Sequence, residues 1–299
     1  VIDRNAIALG AGALGRADNG EPSTASVDLA VAMLTSGFPV VDTSNVYTNG
    51  RSERALGAAI RSLGGLPPGV EVVSKSDPDP ATGRYDGERV RRSLDESLTR
   101  LGVERLPLYH LHDPHGMDAR TALAPGGAVD ALVALRAEGV VGSIGVATGP
   151  LSELGAFYDL GVFDAILTHN RYTLADRAAD ALIRQADADG ARVFNAAPFG
   201  GGLLADSDRI RRTYAYRPAE PALLHWVGRV LALCRRAGVP IAALALNFAA
   251  GHPGVDHVVV GIASRARLDE LGQLVDLDIP PSLLDEVAAL GDPPSRETD

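Results

Sequence analysis

The sequence predicts a (β/α)8 barrel, the TIM-barrel architecture, as a single domain over residues 1–299. Eight short apolar runs bounded by turn residues alternate with amphipathic stretches, and no linker, repeat or low-complexity segment divides the chain. Strands alternating with helices imply parallel βαβ units. Eight such units at this length suit a closed barrel, since α/β barrels of roughly 250 residues are routinely one domain. An open doubly wound sheet would want G-x-G-x-x-G at the first helix and an acidic residue after the second strand. Gly10-Ala11-Gly12-Ala13-Leu14-Gly15 spells that pattern, but Asp42 lies too far downstream.

The elements follow in order. Residues 6–10 form a strand that enters a glycine-rich turn at Gly10, Gly12 and Gly15. Ser23 or Thr24 caps a helix to about Gly37, with Val27, Ala30, Val31 and Leu34 at helical spacing. A buried strand at 39–42 precedes a helix from Ser52, whose Leu56, Ala59, Ile60 and Leu63 share a face and which stops at Gly64, Gly65, Pro67 and Pro68. The alternation continues with strand 70–75, helix 86–101, strand 106–112, helix 127–138, strand 140–146 and helix 150–160. It ends with strand 163–169, helix 175–189, strand 191–197, helices 221–237 and 239–250, strand 257–260, and helices 264–275 and 282–290. Pro240 suits the first turn of its helix. The longest irregular stretch, 200–220, reads as a functional loop.

Composition narrows the function classes. A net charge of −10 argues against nucleic acid and anionic membrane surfaces as partners. Cys234 is the only cysteine, so no internal disulfide forms and a reducing compartment is expected. Asp3 and Arg4 interrupt any secretory pattern, and the apolar run at 239–251 contains Pro240 and Asn247 and is too short to span a membrane. A cytoplasmic protein is the expectation. Of the 28 basic residues one is a lysine, Lys75, at the end of the third strand. Arginine keeps its proton, whereas a buried lysine is tunable, so the placement invites a chemical explanation.

In a (β/α)8 barrel the active site lies at the C-terminal strand ends. There the second strand offers Asp42 followed by Tyr47, the third Lys75, and the fourth His110 and His112. Each has an ordinary structural reading alone: a turn cap, a rim residue, a satisfied core histidine. Together they make a cluster, since a lone buried lysine or aspartate is costly. Asp42 would hold Lys75 charged, Lys75 would lower the Tyr47 phenol from its reference near 10, and His112 would orient the same substrate oxygen. A phenol tuned this way exchanges a proton with a carbonyl or alcohol, which suits hydride transfer at the adjacent carbon.

These residues resemble the Asp/Tyr/Lys/His tetrad of the aldo-keto reductases. The likeness extends over Ser52-Glu-Arg-Ala-Leu-Gly57, Gly142-Ser-Ile-Gly145, Asn195-Ala-Ala-Pro-Phe-Gly-Gly-Gly202 and Val259-Val-Gly-Ile262. The Leu-His-Asp-Pro run after Tyr109, the run 170–174, and Tyr214-Ala-Tyr-Arg-Pro218 further resemble the branch holding aldose 1-dehydrogenases, L-fucose or galactose dehydrogenases and a pyridoxal dehydrogenase. The resemblance implies catalytic Asp42, Tyr47, Lys75 and His112, and a nicotinamide cofactor extended across the barrel mouth. It sets the carboxamide near Thr148 and His169, in place of the family's usual Asn and Gln. Ala196 stands where a stacking tyrosine is common, leaving Phe199 or another residue to substitute. Phe199, Gly201 and Leu203 would run beside the pyrophosphate, and Gly261, Ile262, Ala263, Ser264 and Arg267 would meet the adenosine. Gly261 replaces a lysine common in NADP-preferring members, so NAD is favoured over NADP, although Arg265 or Arg267 could take a phosphate.

The expected reaction is oxidation of a sugar lactol to its lactone, with Tyr47 as base and Asn45 and Val46 lining the substrate pocket; general aldehyde or ketone reduction is the alternative in the same family. Lys75→Arg should impair it, because a guanidinium is too large for the site. Three other classes stay open. His110 and His112 share a strand face and, with His169 and Asp256, would suit a metal-dependent hydrolase, though no metal is expected. Lys75 would suit a Schiff-base aldolase, and a bound nucleotide would suit a sensor.

Overall fold

Eight parallel strands close into a ring in the computed structural model, which describes residues 1–206 and 211–294. The first seven are β1 (Ile7–Gly10), β2 (Val40–Asp42), β3 (Glu71–Ser76), β4 (Leu106–His112), β5 (Val141–Ala147), β6 (Ala165–His169) and β7 (Arg192–Ala196). A separate two-stranded hairpin, β8 (Thr213–Tyr214) and β9 (Arg217–Pro218), precedes the closing strand β10 (His257–Gly261). β10 pairs with β7 on one side and β1 on the other, so the sheet has no free edge and the (β/α)8 barrel is complete.

Side chains alternate along each strand, and the inward set decides what the barrel can hold. Its middle is filled by Ala8, Val40, Val73, Leu108, Ala165, Leu167, Phe194 and Val259. Two residues further along stand Gly10, Asp42, Lys75, His110, Ala196 and Gly261, so polar groups gather where the strands end. Gly145 makes room for one of them: a Cβ there would lie 2.3 Å from His110 Nδ1.

Local chemistry sets the helix starts. Ser23, Asp86 and Ser264 each accept a backbone N–H in the first turn of their helices. The structure departs from the sequence reading in a few places. Ala6 belongs to a 3-10 turn, and β3 runs one residue past Lys75. The helix expected from residue 175 begins at Asp180, because Thr173 and Asp176 bridge to each other first. Asp118 caps a short helix, Ala119–Leu123, which is too brief to show periodicity. The stretch 200–220 holds a 3-10 turn, Gly200–Gly202, and the hairpin; its residues 207–210 lie outside the described residues. No single helix among the described residues is long and apolar enough to cross a membrane.

At the opposite end of the barrel, Arg192 bonds to Glu71 at 2.9 Å and donates to His257 Nε2 at 2.7 Å. Burial and the Arg192 charge push His257 down to about 4, and burial holds His110 well below the usual histidine value. Between about pH 6.5 and 4 the unfolded chain binds protons that these folded rings refuse, so stability falls as pH drops through that window. Thermal melts at about pH 7 and pH 5 should show the lower midpoint at pH 5, and His257→Gln should reduce the difference. Equal midpoints would contradict the burial of neutral rings.

Candidate active site

The loop between β2 and the helix Arg51–Ser62 carries Tyr47 to the mouth, and its backbone explains how. Thr48, Asn49 and Gly50 all have positive φ, at 52°, 57° and 75°. Gly50 is required there, because a Cβ would lie 2.6 Å from the Arg100 guanidinium carbon. From behind, Arg100 donates to Asn45 O at 2.8 Å and to the buried Glu53 at 3.1 Å.

Lys75 and Asp42 are both buried and paired, Nζ to Oδ1, at 2.6 Å. The ammonium also donates to Thr43 O at 2.7 Å and to Tyr47 Oη at 3.2 Å, which uses all three of its protons. Burial alone would lower Lys75, but the charge of Asp42, with the hydrogen bonds to Asp42 and Tyr47, raises it above its ordinary value, so it stays an ammonium. Tyr47 behaves contrary to the sequence expectation. Lys75 does pull the phenol down, yet burial outweighs it and Asp42 opposes it, so the hydroxyl is pushed up to about 12. It keeps its proton at neutral pH. His112 stands edge-on to the Tyr47 ring with centroids 5.7 Å apart.

These groups open on a cavity of about 970 Å³ lined by Asp42, Tyr47, His112, Asp113, His169, Asn170, Arg171 and Tyr216 among others. The remaining expected site residues fall into two sets. His169, Gly261 and Ala263 line the cavity, as does Ala196. Thr148, Phe199, Gly201, Leu203, Ile262, Ser264 and Arg267 do not. Thr148 is buried with its hydroxyl donating to Glu153 at 2.7 Å, and Leu203 and Ile262 are buried in the hydrophobic core. Phe199 packs half-buried on that core. Gly201 faces the backbone of Tyr216, and Ser264 caps its helix. Arg267 pairs with Glu270 and borders a second cavity of about 450 Å³ with Gln273 and Leu277.

Asn45 as a substrate contact is corrected. Its amide donates to Ser93 O at 3.1 Å and Glu96 at 3.0 Å and accepts from Arg89 at 3.0 Å, so the side chain turns away from the cavity to lock the loop. Val46 is absent from the cavity wall, and its backbone N–H donates to Asp77 at 3.2 Å.

Two contributors escaped the sequence reading. Asn170 lines the cavity with its Oδ1 buried and without a hydrogen-bond partner. The β8–β9 hairpin is anchored by Tyr214, which donates to Asn170 O at 2.7 Å, and it sets Tyr216 at the rim. Its two turn residues, Ala215 and Tyr216, both have positive φ, at 46° and 68°. Such a turn favours Asn-Gly, so Ala-Tyr is held there under strain, a feature that clusters at functional sites. The signal in the sequence was a tyrosine pair around a single alanine in a loop.

A dinucleotide cofactor fits these residues. A Cβ on Gly261 would meet nothing within 4 Å, so the end of β10 is open to an approaching group, and the unpartnered Asn170 oxygen is an acceptor for an amide. A hydrolase centre does not fit: among the described residues no three His, Cys, Asp or Glu gather as a metal requires. The paired, charged Lys75 is unsuited to imine formation.

A model described as the aldo/keto reductase family matches residues 6–292. Among known proteins the chain is 32% identical over 281 residues to a D-threo-aldose 1-dehydrogenase from Pseudomonas sp, covering 86% of this chain and 85% of that one. It is 29% identical to L-galactose dehydrogenase of Arabidopsis thaliana, covering 89% and 85%. Among solved structures, an aldo-keto reductase from Bacillus halodurans in its holo form superposes with a TM-score of 0.74 at 19% identity, covering 98% and 94%. An aldo/keto reductase from Klebsiella pneumoniae in complex with NADP and acetate gives 0.71 at 24% identity, covering 98% and 93%.

Proposed function

The chain belongs to the aldo/keto reductase family and is an NAD(P)-dependent oxidoreductase, and we propose that it oxidises a sugar lactol to its lactone, preferring NAD. The observation that carries the reading is the convergence of Asp42, Tyr47 and His112 on one cavity, with the buried Lys75 bonded to Asp42 and Tyr47 behind them; the rim also holds Asp113, His115, Asn170 and Arg217. Such a rim can hydrogen-bond the several hydroxyls of a sugar, and the named relatives act on sugars of this kind.

When bound, the nicotinamide supplies the hydride acceptor or donor. The protein manages the substrate oxygen. The Tyr47 hydroxyl donates a hydrogen bond to it, and the Lys75 charge behind the phenol strengthens that donor as negative charge builds. Asp42 keeps Lys75 charged, and His112 contacts the same oxygen. His169 and Asn170 would meet the carboxamide, and Gly261 and Ala263 the cofactor's extension from the mouth. The adenosine end would lie in the second cavity beside Arg267. The NAD preference rests on Gly261 standing where a lysine would pair with a 2′-phosphate; Arg265 and Arg267 are exposed and already paired with Asp269 and Glu270.

A panel of aldoses and simple aldehydes, assayed with NAD and NADP in both directions, tests the reading. The highest kcat/KM is expected for an aldose with NAD, and turnover confined to simple aldehydes with NADPH would overturn it. Tyr216 would stack on the nicotinamide in place of an aromatic at Ala196. Tyr216→Ala should raise the cofactor KM about 2- to 12-fold, as loss of an aromatic contact does, with little change in kcat. An unchanged cofactor KM would remove Tyr216 from the site.

A further inference from the structure

Asp113 follows His112 directly, one residue past the end of β4, and its backbone is left-handed with φ at 42°. Its N–H donates to Ala147 O at 2.9 Å, so the β4–β5 ladder continues through it and fixes its place. Strict alternation along a strand would send residue 113 to the face opposite His112. The positive φ turns it back, and the two neighbours both line the cavity. Aspartate tolerates such a backbone because its carboxylate can bond locally in a turn. That use is missing here: Oδ1 is buried and, among the described residues, without a partner. Two ring nitrogens come near, His112 Nε2 at 3.7 Å from Oδ2 and His115 Nε2 at 3.9 Å from Oδ1, both beyond hydrogen-bond length. Each of those rings has its Nδ1 against another carboxylate, His112 on Asp77 at 2.7 Å and His115 on Glu153 at 3.0 Å. Asp113 is thus a carboxylate aimed at the cavity by a costly backbone, 37% exposed there, with no task inside the protein.

We propose that Asp113 is a specificity-determining residue whose carboxylate accepts a hydrogen bond from a substrate hydroxyl on the carbon next to the reacting one. A carboxylate only accepts hydrogen bonds, so its complement is a donor. Position decides which donor. The reacting oxygen lies against Tyr47 and His112, and Oδ2 of Asp113 is 3.7 Å from the His112 nitrogen that faces it. Gauche oxygens on neighbouring carbons are about one hydrogen-bond length apart, about 2.8 Å. A hydroxyl one carbon from the reacting centre therefore reaches the carboxylate while the reacting oxygen stays on the tetrad. The chemistry at that oxygen remains with Tyr47, and Asp113 reads its neighbour.

The substrate class narrows to α-hydroxy compounds, which for a sugar lactol means the hydroxyl on C2. An analogue with hydrogen at that carbon would cover the carboxylate with a C–H bond and leave it unpaired, the loss by which polar sites reject analogues. The proposal rests on the oxidoreductase reading of this site but not on a sugar as substrate.

Two substrate pairs that differ by this hydroxyl alone test it: galactose against 2-deoxygalactose in oxidation, and lactaldehyde against propanal in reduction. The wild-type kcat/KM should favour the hydroxylated member about 10- to 150-fold, what a hydrogen bond to a charged group is worth. Asp113→Ala should bring the ratio close to one. Asp113→Asn keeps an acceptor without the charge and should retain about 2- to 12-fold, the range of a neutral hydrogen bond. The cofactor KM should stay as in wild type in both variants. A wild-type ratio near one, or a wild-type ratio retained in Asp113→Ala, would overturn the proposal. So would a raised cofactor KM with the ratio unchanged, which would assign the carboxylate to the nicotinamide carboxamide. If neither variant folds, the wild-type ratio still decides. If galactose and other sugars are inert while the lactaldehyde ratio behaves as expected, the sugar reading fails and the assignment of Asp113 stands.

Discussion

Tyr47→Phe is expected to lower kcat about 10²- to 10³-fold, or roughly 2.7–4 kcal/mol of transition-state stabilisation, the cost of removing one preorganised donor at a developing oxyanion. The substitution isolates the hydroxyl. The ring that stands against His112 and under the Lys75 ammonium, 4.7 Å from its centroid, is retained. Lys75 keeps its bonds to Asp42 and Thr43, so no buried charge is orphaned. Stability should change by no more than about 1 kcal/mol, the net worth of one hydrogen bond. Cofactor affinity should survive, because the residues assigned to it lie on other strands. Steady-state kinetics in both directions with one substrate, beside a titration of cofactor binding, separates these effects. Turnover within a fewfold of wild type would end the case for Tyr47 at the substrate oxygen.

Most of the barrel was legible because strands carry a period of two and barrels put chemistry where strands end. Asp42, Lys75 and His112 were readable by that rule, each being an inward residue at a C-terminal strand end. Asn45 was not, because a loop residue has no period to say which way its side chain turns. Its amide goes to Arg89 and Glu96, partners some fifty positions away that no local pattern reveals. The hairpin was hidden for a related reason: two-residue strands are too short to alternate visibly. The Tyr47 expectation went wrong in sign because sequence proximity names the charge, Lys75, and not the desolvation that exceeds it. Asp77 was in plain view two residues from Lys75, yet its contact with His112 depends on β4 bringing that histidine to meet it. The cofactor positions divided along the same line, with strand-end residues such as His169 and Gly261 on the cavity, and loop residues turned to the core, Leu203 within it and Phe199 packed against it.

Lys75→Met is expected to destabilise the fold by about 3–5 kcal/mol, the cost of stripping one partner from a buried ion pair. Asp42 would then be a carboxylate 3% exposed whose Oδ2 already lacks a partner, with the cation it pairs with among the described residues gone. Asp42→Asn should be costly for the mirror reason, since it leaves the buried ammonium without its counter-charge. The informative molecule is the double variant Asp42→Asn/Lys75→Met. Removing both charges together removes both desolvation penalties, so its stability should exceed what the two single losses predict when added, a coupling that a double-mutant cycle reads directly. Its activity should not return. Lys75 acts by directing a fixed charge through three short contacts at Asp42, Thr43 and Tyr47, and a methionine in a neutral pocket supplies none of them. Denaturant unfolding and turnover measured on the same four proteins would therefore diverge, with stability recovering and kcat remaining low. Strict additivity of the two losses would show that the pair does not hold this site together. Recovery of turnover in the double variant would show that the charge is not what Tyr47 needs. Lys75→Arg probes the remaining property, shape: it preserves the charge but replaces three radiating donors with a planar fork. It should therefore lose turnover while keeping more stability than Lys75→Met.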